Sequence, residues 1–378
     1  MILWTIAIFG GLLLLAHWVS TLMVMRRLRR APEVAEPAAG WPRITLLRPV
    51  CGLDPQDRQT FASSFSQTYP DWELIFCVAH PDDPAIPVLR ELIAAHPHVP
   101  AQLLIGETRL TGNPKLNNLL KGWDAANGSF VAMSDCNVLL PPDYLRQLAA
   151  IWRPDTGLVS APPLATQPSG LWAAVEAAFL NGNQARLQLA ADCLGAGFAQ
   201  GKTLMWRKAD LDAVGGLPAL ARDLAEDVAC TKVAHAMGRK VHLTTRPFPQ
   251  PIGQRSAGAV WARQLRWSKV RRAGFPGMFL LEPLNGPLIP FAALALPVLS
   301  GAAPAAALIA LPVLWYLPEW ALARAGGWRF GGIDLCAAVI RDALLPALWC
   351  ASLGRQGFDW RGTAMAASEA RNDAMPTV

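Results

Sequence analysis

The sequence predicts an α/β protein whose mostly parallel sheet is flanked by apolar segments able to enter a membrane. Two observations support this fold class. Between residues 44 and 153, short apolar runs alternate with helix-like stretches, which is the pattern of βαβ units. In addition, 52% of the 378 residues are hydrophobic, and long uncharged tracts lie near both ends of the chain.

The first element is an apolar segment that runs from Ile2 to Met25 without a charged residue. At about 1.5 Å per residue, this segment is long enough for one membrane-spanning helix. A run of arginines follows it at once: Arg26, Arg27, Arg29 and Arg30. A secretory signal peptide carries its positive charge before the apolar run, so we predict a retained anchor. The positive-inside rule then places the following domain in the cytoplasm.

The α/β part of the chain begins after a Pro/Ala-rich linker at 31–43. The predicted strands are 44–50, 73–79, 101–107 and 130–135, and the predicted helices are 55–68, 84–96, 114–126 and 142–153. In sheets of this kind, ligands bind beyond the carboxyl ends of the strands. Polar residues that follow a strand are therefore the first candidates for a site.

Two groups of polar residues follow predicted strands. Asp82 and Asp83 come after the second strand, where they either cap the next helix or bind a ligand. Asp135 and Asn137 come after the fourth strand. Two oxygen ligands at this spacing can share a divalent cation that bridges a diphosphate, although an Asx-turn explains the same residues. Mg²⁺ or Mn²⁺ is the predicted cofactor, bound more weakly than by two carboxylates because Asn137 is neutral.

Two helix starts carry further polar residues. The stretch TGNPKLNNLLKGW (111–123) places Lys115, Asn117 and Asn118 in a first helical turn, which suits a phosphate or a sugar as well as a plain cap. Glu226 and Asp227 open a later helical stretch, where negative charge is often structural. Asp227 could instead accept a proton from an attacking hydroxyl, provided that the fold brings it opposite the metal.

The stretch RQLRWSKVRR (263–272) combines cations with a tryptophan. On a helix, Arg263, Arg266 and Trp267 share one face. Two guanidiniums can neutralise a departing diphosphate, and the tryptophan can form a rigid wall beside a sugar or an acceptor. The later cations, Lys269, Arg271 and Arg272, lie near an apolar tract and are predicted to anchor the chain to anionic lipid.

The C-terminal region contains two apolar segments. Residues 286–318 are uncharged but broken by prolines, which fits a kinked or re-entrant pair of helices better than one straight span. Residues 335–353 contain Arg341 and Asp342, so we predict an interfacial helix or a poor third span there.

Composition excludes two other classes of protein. The net charge of +6 comes with only 16% charged residues, so the chain lacks the polycationic surface of a nucleic-acid-binding protein. The 7 cysteines form neither a CxxC pair nor a Cys/His metal spacing. A structural zinc or a disulfide framework is therefore not expected, and a reducing compartment is indicated.

Together these motifs resemble a known family. Asp82 or Asp83, Asp135, Asp227 and the RxxRW motif at 263–267 are similar to the D, D, D, (Q/R)xxRW signature of membrane-bound glycosyltransferases with the GT-A fold. Six stretches resemble the ceramide glucosyltransferase family in the same order: LRPVCGLDP, HPDDPAI, GNPKLNNLLKGW, MSDCNVLLPPDYL, AEDVACTK and RQLRWSKVR. The match covers about residues 44–280. A bacterial branch of this family glycosylates hopanoid lipids.

The resemblance implies inverting transfer of a sugar, such as glucose, from a UDP-sugar to a lipid hydroxyl at the cytosolic leaflet. It implies uridine binding by Asp82 or Asp83, binding of the divalent ion by Asp135, and general-base catalysis by Asp227. Arg263, Arg266 and Trp267 would hold the diphosphate and close the acceptor site. We also place three residues at the donor: Lys115, Asn117 and Glu226.

Several alternatives remain open at this point. The acceptor is either ceramide or another sphingoid lipid, or a hopanoid that would receive a sugar such as N-acetylglucosamine. A non-catalytic scaffold that binds nucleotide or lipid headgroups would keep the cations and the anchor but would not need Asp227. A processive polysaccharide synthase shares the signature, but this chain has too little transmembrane sequence to build an export channel.

The predicted organisation has five parts: an anchor with its basic flank at 1–30, a linker at 31–43, a glycosyltransferase domain at 44–280, membrane-associated helices at 281–355 and a cytoplasmic tail at 356–378. The predicted partners are a UDP-sugar, a membrane lipid acceptor and the bilayer, with no nucleic acid. We therefore predict an integral protein of a bacterial inner membrane whose catalytic domain faces the cytoplasm.

Overall fold

The computed structural model describes residues 1–31, 34 and 40–354, together with the backbone of two short strands at 358–360 and 363–365. Most of the predicted linker and tail lies outside these residues. The chain divides into two compact units. The first, called here the helical unit, consists of Met1–Arg30, Pro168–Cys193 and Gln254–Arg355. The second, called the sheet unit, consists of Ala31–Gln167, Leu194–Gly253 and Gln356–Val378.

The strands follow one another along the chain as β1 (Ile44–Val50), β2 (Trp72–Val78), β3 (Ala101–Ile105), β4 (Phe130–Ser134), β5 (Thr156–Ser160), β6 (Pro163–Ser169), β7 (Thr203–Arg207), β8 (Lys240–Leu243), β9 (Phe248–Gln254), β10 (Phe358–Trp360) and β11 (Thr363–Met365). Seven of them form one sheet in the order β3-β2-β1-β4-β7-β5-β8. β6 pairs with β9, and β10 pairs with β11, in separate two-stranded sheets.

The seven-stranded sheet is mixed but mostly parallel. β3, β2, β1 and β4 run parallel to one another, and β5 runs parallel to β8. β7 is antiparallel to both of its neighbours, β4 and β5. Every residue of β1, β4 and β5 is buried, which explains why these strands read as short apolar runs. The α/β fold class predicted from the sequence is confirmed.

The helices of the sheet unit are α2 (Asp57–Ala62), α3 (Ala85–Ala95), α4 (Pro114–Ala125), α5 (Tyr144–Ile151), α8 (Lys208–Asp212) and α9 (Glu226–Ala236). α4 starts where its sequence predicts, because the Asn113 side chain accepts the N–H groups of Lys115 and Leu116. A Cβ atom at Gly122 would lie 2.4 Å from Leu47 Cδ1 and 2.5 Å from Cys77 Sγ. Only glycine permits this close packing of α4 on the sheet, and the packing fixes the position of the polar first turn.

The helices of the helical unit are α1 (Ile2–Leu28), α6 (Leu171–Ala177), α7 (Arg186–Cys193), α10 (Ala257–Gly274), α11 (Pro276–Leu281), α12 (Leu288–Leu299), α13 (Ala306–Gly326) and α14 (Gly332–Ser352). Residues 178–185, between α6 and α7, form a π-helix. By length and composition, α1 and α13 could cross a membrane, and so could the segments Pro276–Asn285 and Leu288–Leu299 as one span bent by 44°. The apolar helices predicted near both ends are therefore present.

Contacts distant in sequence hold the helical unit together. His17 of α1 stacks on the ring of Trp315 in α13 with centroids 3.9 Å apart, and Trp18 Nε1 donates to Leu314 O at 2.8 Å. Arg341 of α14 donates to both carboxylate oxygens of Glu319 in α13, at 3.0 and 2.8 Å. Charges inside an apolar helix bundle persist when they are paired in this way. Residues 168–193 and 254–280 belong to this unit. The limits given above for the glycosyltransferase domain, 44–280, and for the other four parts of the chain remain predictions.

Candidate active site

The carboxyl end of β4 meets the beginning of β7, because these two strands are antiparallel. Ser134 pairs with Thr203, and the Asp135 N–H donates to the carbonyl of Lys202 at 3.2 Å. The two predicted metal ligands, Asp135 and Asn137, therefore share an edge of the sheet with the residues that precede β7. This register brings an unpredicted lysine into the site.

Lys202 supplies a cation to the predicted metal ligands. Its Nζ lies 2.9 Å from Asp135 Oδ2 and 3.0 Å from Asn137 Oδ1. The side-chain oxygens of Asp135 and Asn137 thus point to one cation position, as their spacing predicts. The ammonium group of Lys202 occupies that position. Within residues 1–31 and 40–354, no group of three or more His, Cys, Asp or Glu side chains is arranged to hold a metal ion. Asp135 and Asn137 fit a divalent ion only if Lys202 moves away.

Lys115 joins two acidic parts of the site. Its Nζ lies 2.6 Å from Asp135 Oδ1 and 2.7 Å from Glu226 Oε1, and it donates to the Gly201 carbonyl at 2.9 Å. Burial alone would raise the pKa of Asp135, but the ammonium groups of Lys115 and Lys202 outweigh burial and hold that pKa well below its usual range. Burial would likewise lower the pKa of Lys115, yet the two carboxylates raise it above its usual value.

Asp227 differs electrostatically from Asp135. Its carboxylate is partly buried and accepts the N–H of Gly201 at 3.2 Å and the N–H of Val228 at 2.9 Å. Burial and the neighbouring Glu226 carboxylate raise the pKa of Asp227 to about 6. At neutral pH this group is ionised and is a stronger base than an ordinary aspartate, which suits proton abstraction.

Gly201 lets these side chains approach the backbone. A Cβ atom at this position would lie 3.0 Å from Glu226 Oε1 and 3.6 Å from Asp227 Oδ2. The same residue accepts a hydrogen bond from Lys115 and donates one to Asp227. Gly201 therefore links the acidic start of α9 to the first turn of α4.

Arg48 of β1 supports the loop that carries the predicted metal ligands. The side chain is fully buried, and its Nη2 donates to the carbonyls of Asp135, Cys136 and Val138 at 2.9 Å each. Its Nη1 donates to Thr60 O at 3.1 Å and to Ser64 Oγ at 2.8 Å. This guanidinium fixes the turn from beneath, as a positioning residue.

The other predicted donor-site residues have different surroundings. Asp82 is exposed, whereas Asp83 is buried and accepts the N–H groups of Gly52 and Ala85 at 2.8 and 2.9 Å. Asn117 Oδ1 accepts the N–H of Thr111 at 2.9 Å, and its Nδ2 donates to Thr111 O at 2.8 Å, so this amide orders the loop before α4. Asp82 is thus the more accessible of the two aspartates.

The RxxRW residues lie on α10 in the helical unit. Arg263 forms an ion pair with the fully buried Glu176 of α6, and Arg255 Nε lies 3.4 Å from Glu176 Oε2. Arg271 is bonded to Glu282, and Arg272 donates to the carbonyls of Ser352 and Gly354. A buried carboxylate between two arginines orients them, so Glu176 holds the first residue of the motif in place.

Sequence reasoning missed four residues that organise these sites: Arg48, Glu176, Gly201 and Lys202. Gly201 and Lys202 lie directly before a strand, which is normally the end of the sheet away from the ligand. Because β7 is antiparallel to β4, its beginning lies instead beside the carboxyl end of β4. Arg48 is an unusual charged residue within the buried run ITLLRPV. Such a residue needs internal partners, and this need was a usable signal.

A profile of glycosyl transferase family 21 matches residues 11–372. The chain belongs to this family. Ceramide glucosyltransferase 1 of Caenorhabditis elegans is 30% identical over 280 residues, which are 74% of this chain and 59% of that protein. Ceramide glucosyltransferase of Komagataella phaffii is 40% identical over 99 residues, 25% of this chain and 19% of that protein. The resemblance to the ceramide glucosyltransferase family is confirmed, and the bacterial branch stays a prediction.

The matched part of this chain spans less than two thirds of the length of each of these two relatives. Among solved structures, it is similar to the mannosyltransferase PcManGT from Pyrobaculum calidifontis in complex with GDP-Man and Mn²⁺. That similarity has 19% identity and a TM-score of 0.49, and it covers 89% of this chain and 99% of the other.

Proposed function

We propose that the protein transfers a sugar from a UDP-sugar to a hydroxyl group of a membrane lipid with inversion of the anomeric carbon. One observation carries this proposal: the pKa of the Asp227 carboxylate is raised. Asp227 follows Glu226 at the edge of the sheet, where Lys115 forms ion pairs with both Glu226 and Asp135. Membership of family 21 supports glycosyl transfer, and relatives named ceramide glucosyltransferase support a lipid acceptor.

In this mechanism, Asp227 accepts the proton of the lipid hydroxyl as that oxygen attacks the anomeric carbon. Attack from the face opposite UDP gives a β-linked product from an α-linked donor. Asp82 is the proposed ligand of the uridine, and its exposure, against the burial of Asp83, supports this choice. Lys115 and Lys202 supply positive charge where the diphosphate develops negative charge. Arg263, Arg266 and Trp267 are proposed to hold the diphosphate and close the acceptor site.

Asp135 and Asn137 are the residues that would hold Mg²⁺ or Mn²⁺, and Lys202 occupies their shared cation position. When bound, such an ion neutralises charge on the leaving diphosphate. The protein's own contribution is to favour the ionised form of Asp135, through Lys115 and Lys202, and to hold the 135–138 turn through Arg48.

The experiment that tests the function is a product assay. Membranes that contain the protein are incubated with labelled UDP-glucose or UDP-N-acetylglucosamine, and with ceramide or a hopanoid alcohol. The proposal requires a β-linked glycolipid from at least one pair, and the productive pair identifies the sugar and the acceptor. An α-linked product, or no lipid product from any pair, would contradict it.

We expect Lys202→Met to bind Mn²⁺ more tightly than the parent protein. Removing an ammonium that competes for the same two oxygens should lower the Kd about tenfold or more, since even about 1.4 kcal/mol of relieved repulsion gives that factor. Electron paramagnetic resonance of free Mn²⁺ measures this directly. Lys208→Met, which changes a lysine at the opposite end of β7, should leave the Kd unchanged.

The same proposal makes transfer by the parent protein dependent on a divalent ion. Chelation should abolish activity, and Mg²⁺ or Mn²⁺ should restore it. Full activity in excess EDTA, together with an unchanged Mn²⁺ affinity in Lys202→Met, would show that Lys202 itself is the working cation.

The arginines in the last turn of α1 and directly after it support a cytoplasmic location for the sheet unit. UDP-sugars are cytoplasmic, which agrees with this orientation. Protease added outside intact cells should therefore spare the region from Gly40 to Gly253. Cleavage there before lysis would reverse the assignment.

A further inference from the structure

The helical unit contains a cavity of ≈ 80 Å³. Its wall combines polar and apolar side chains. The uncharged polar residues are Asn183, Gln184, Gln264 and Ser268, the charged ones are Arg271, Glu282 and Asp342, and the apolar ones include Leu288, Leu345 and Leu348. Most of them come from the π-helix, α10, α12 and α14.

The polar wall has an unfilled hydrogen-bonding position. Gln264 is 3% exposed, and its Nε2 has no hydrogen-bond partner among the residues that the structure describes. Its Oε1 accepts a hydrogen bond from Gln184 Nε2 at 3.0 Å, which fixes the orientation of the amide. A buried N–H without a partner is unfavourable, so an oxygen atom of a bound molecule would stabilise this wall. The neighbouring π-helix is a distortion that recurs at functional sites.

The charged side chains that line the cavity have ion-pair partners. Arg271 is paired with Glu282, and Asp342 shares Arg341 with Glu319. Among the lining residues that the structure describes, an anionic headgroup would find no cation without a carboxylate partner. The cavity therefore suits an uncharged molecule that carries hydrogen-bonding oxygens.

The surroundings of the cavity are apolar on the side of α12. Leu288, which lines the cavity, is 59% exposed, and Leu280 and Leu281 of α11 are exposed as well. These residues belong to the bent pair of helices that is apolar enough to enter a membrane. A hydrocarbon chain that leaves the cavity past Leu288 would remain in contact with apolar groups.

The cavity also adjoins the RxxRW motif along one helix. Gln264 directly follows Arg263, and Ser268 directly follows Trp267. We propose that this cavity binds the uncharged, amide- or hydroxyl-bearing headgroup of the acceptor lipid, with Gln264 Nε2 donating to a headgroup oxygen. The assignment as an acceptor site rests on the proposed function.

Gln264→Leu tests the proposal, because leucine keeps similar bulk and removes the amide. We expect the KM for the lipid acceptor to rise about five- to tenfold, as the loss of one hydrogen bond predicts, while the KM for the UDP-sugar stays unchanged. The control is Gln147→Leu in α5, another buried glutamine with an unpaired amide atom. An acceptor KM that does not change in Gln264→Leu overturns the proposal.

A binding measurement separates this proposal from the proposed function. The probe is a diazirine-bearing N-acyl amino alcohol, compared with a diazirine-bearing phosphatidylglycerol. We expect the neutral probe to label the cavity peptides of α12 and α14 in the parent protein, and to do so several-fold less in Gln264→Leu and in the cavity-filling Leu345→Phe. Such labelling without sugar transfer would overturn the proposed function alone. Equal labelling of the parent and both variants, or stronger labelling by phosphatidylglycerol, would overturn the lipid site.

Discussion

Asp227→Asn should remove most sugar transfer while the protein still folds and binds its donor. A lipid alcohol is a poor nucleophile at neutral pH, and a positioned base typically accelerates its attack by about 10²–10⁴-fold. Asparagine has nearly the same shape and retains one acceptor oxygen, but it cannot take the proton. We therefore expect kcat to fall within that range in the product assay, with UDP affinity changed little.

The pH dependence of the parent protein follows from the raised pKa of Asp227. The general base must be ionised, so kcat/KM should rise with pH through about 6 and then level off. The folded-state pKa lies above the usual value of 3.8, so the stabilising contribution of Asp227 is complete below about pH 4 and is lost as the pH rises through about 6. Asp227→Asn should therefore lose less unfolding free energy between pH 5 and pH 8 than the parent.

The matched control for this prediction is Asp223→Asn. Asp223 lies shortly before α9 and pairs with Lys232, away from the lysines of the site. This variant should keep both the activity and the pH profile of the parent. Near-parental turnover in a folded Asp227→Asn protein would contradict the role of Asp227 as the base.

Lys115→Met should impair both stability and transfer. Lys115 is 9% exposed and lies within 2.7 Å of two carboxylate oxygens, one from Asp135 and one from Glu226. Asp135 keeps the ammonium of Lys202, whereas Glu226 loses the cation beside it. Removing one partner of a fully buried ion pair costs about 3–5 kcal/mol. Lys115 and Glu226 are partly buried, so we expect a smaller loss of about 1.5–3 kcal/mol, as for a lost hydrogen bond to a charged group. Transfer should fall by about 10²-fold or more, because a fixed charge near the diphosphate is lost.

A double variant separates the charge effect from a packing effect. Lys115→Met with Glu226→Gln leaves no uncompensated charge at this position, so it should regain part of the lost unfolding free energy without regaining activity. Lys121→Met, six residues further along α4, is the control, because its ammonium donates to the carbonyl and the side-chain oxygen of Asn118 in the same helix. Equal unfolding free energies for Lys115→Met and Lys121→Met would show that the Lys115 ion pairs contribute little.

Four strands of the sheet, β1 to β4, could be predicted because each is a short apolar run bounded by polar residues. The positions of Asp135, at a strand end, and Asp227, at a helix start, followed from the same alternation. The partner of Asp135 and Asn137 could not be predicted, because apolar patterning does not reveal strand direction. Only the antiparallel direction of β7 brings Lys202 to the carboxyl end of β4.

The sequence likewise gave no sign that Arg263 would find its counterion on α6. Glu176 lies in the short apolar helix LWAAVEA, where an isolated carboxylate resembles a surface residue. Its burial depends on packing between helices far apart in the chain. Residues 168–193 carry no motif, and their place among the membrane-type helices emerges only from the three-dimensional structure.

The stacking of His17 on Trp315 has a consequence for biosynthesis. The two residues are 298 positions apart in the chain. At a translation rate of about 5–20 residues per second, α1 emerges roughly 15–60 s before its partner α13. During that interval the ribosome produces the entire α/β part and also α7, whose Arg186 donates to Ser20 of α1. The first helix is therefore made long before α12 and α13, which complete its surroundings. The helical unit therefore cannot assemble by adding each new helix to the one made just before it. It is complete only after the last helices have been synthesised.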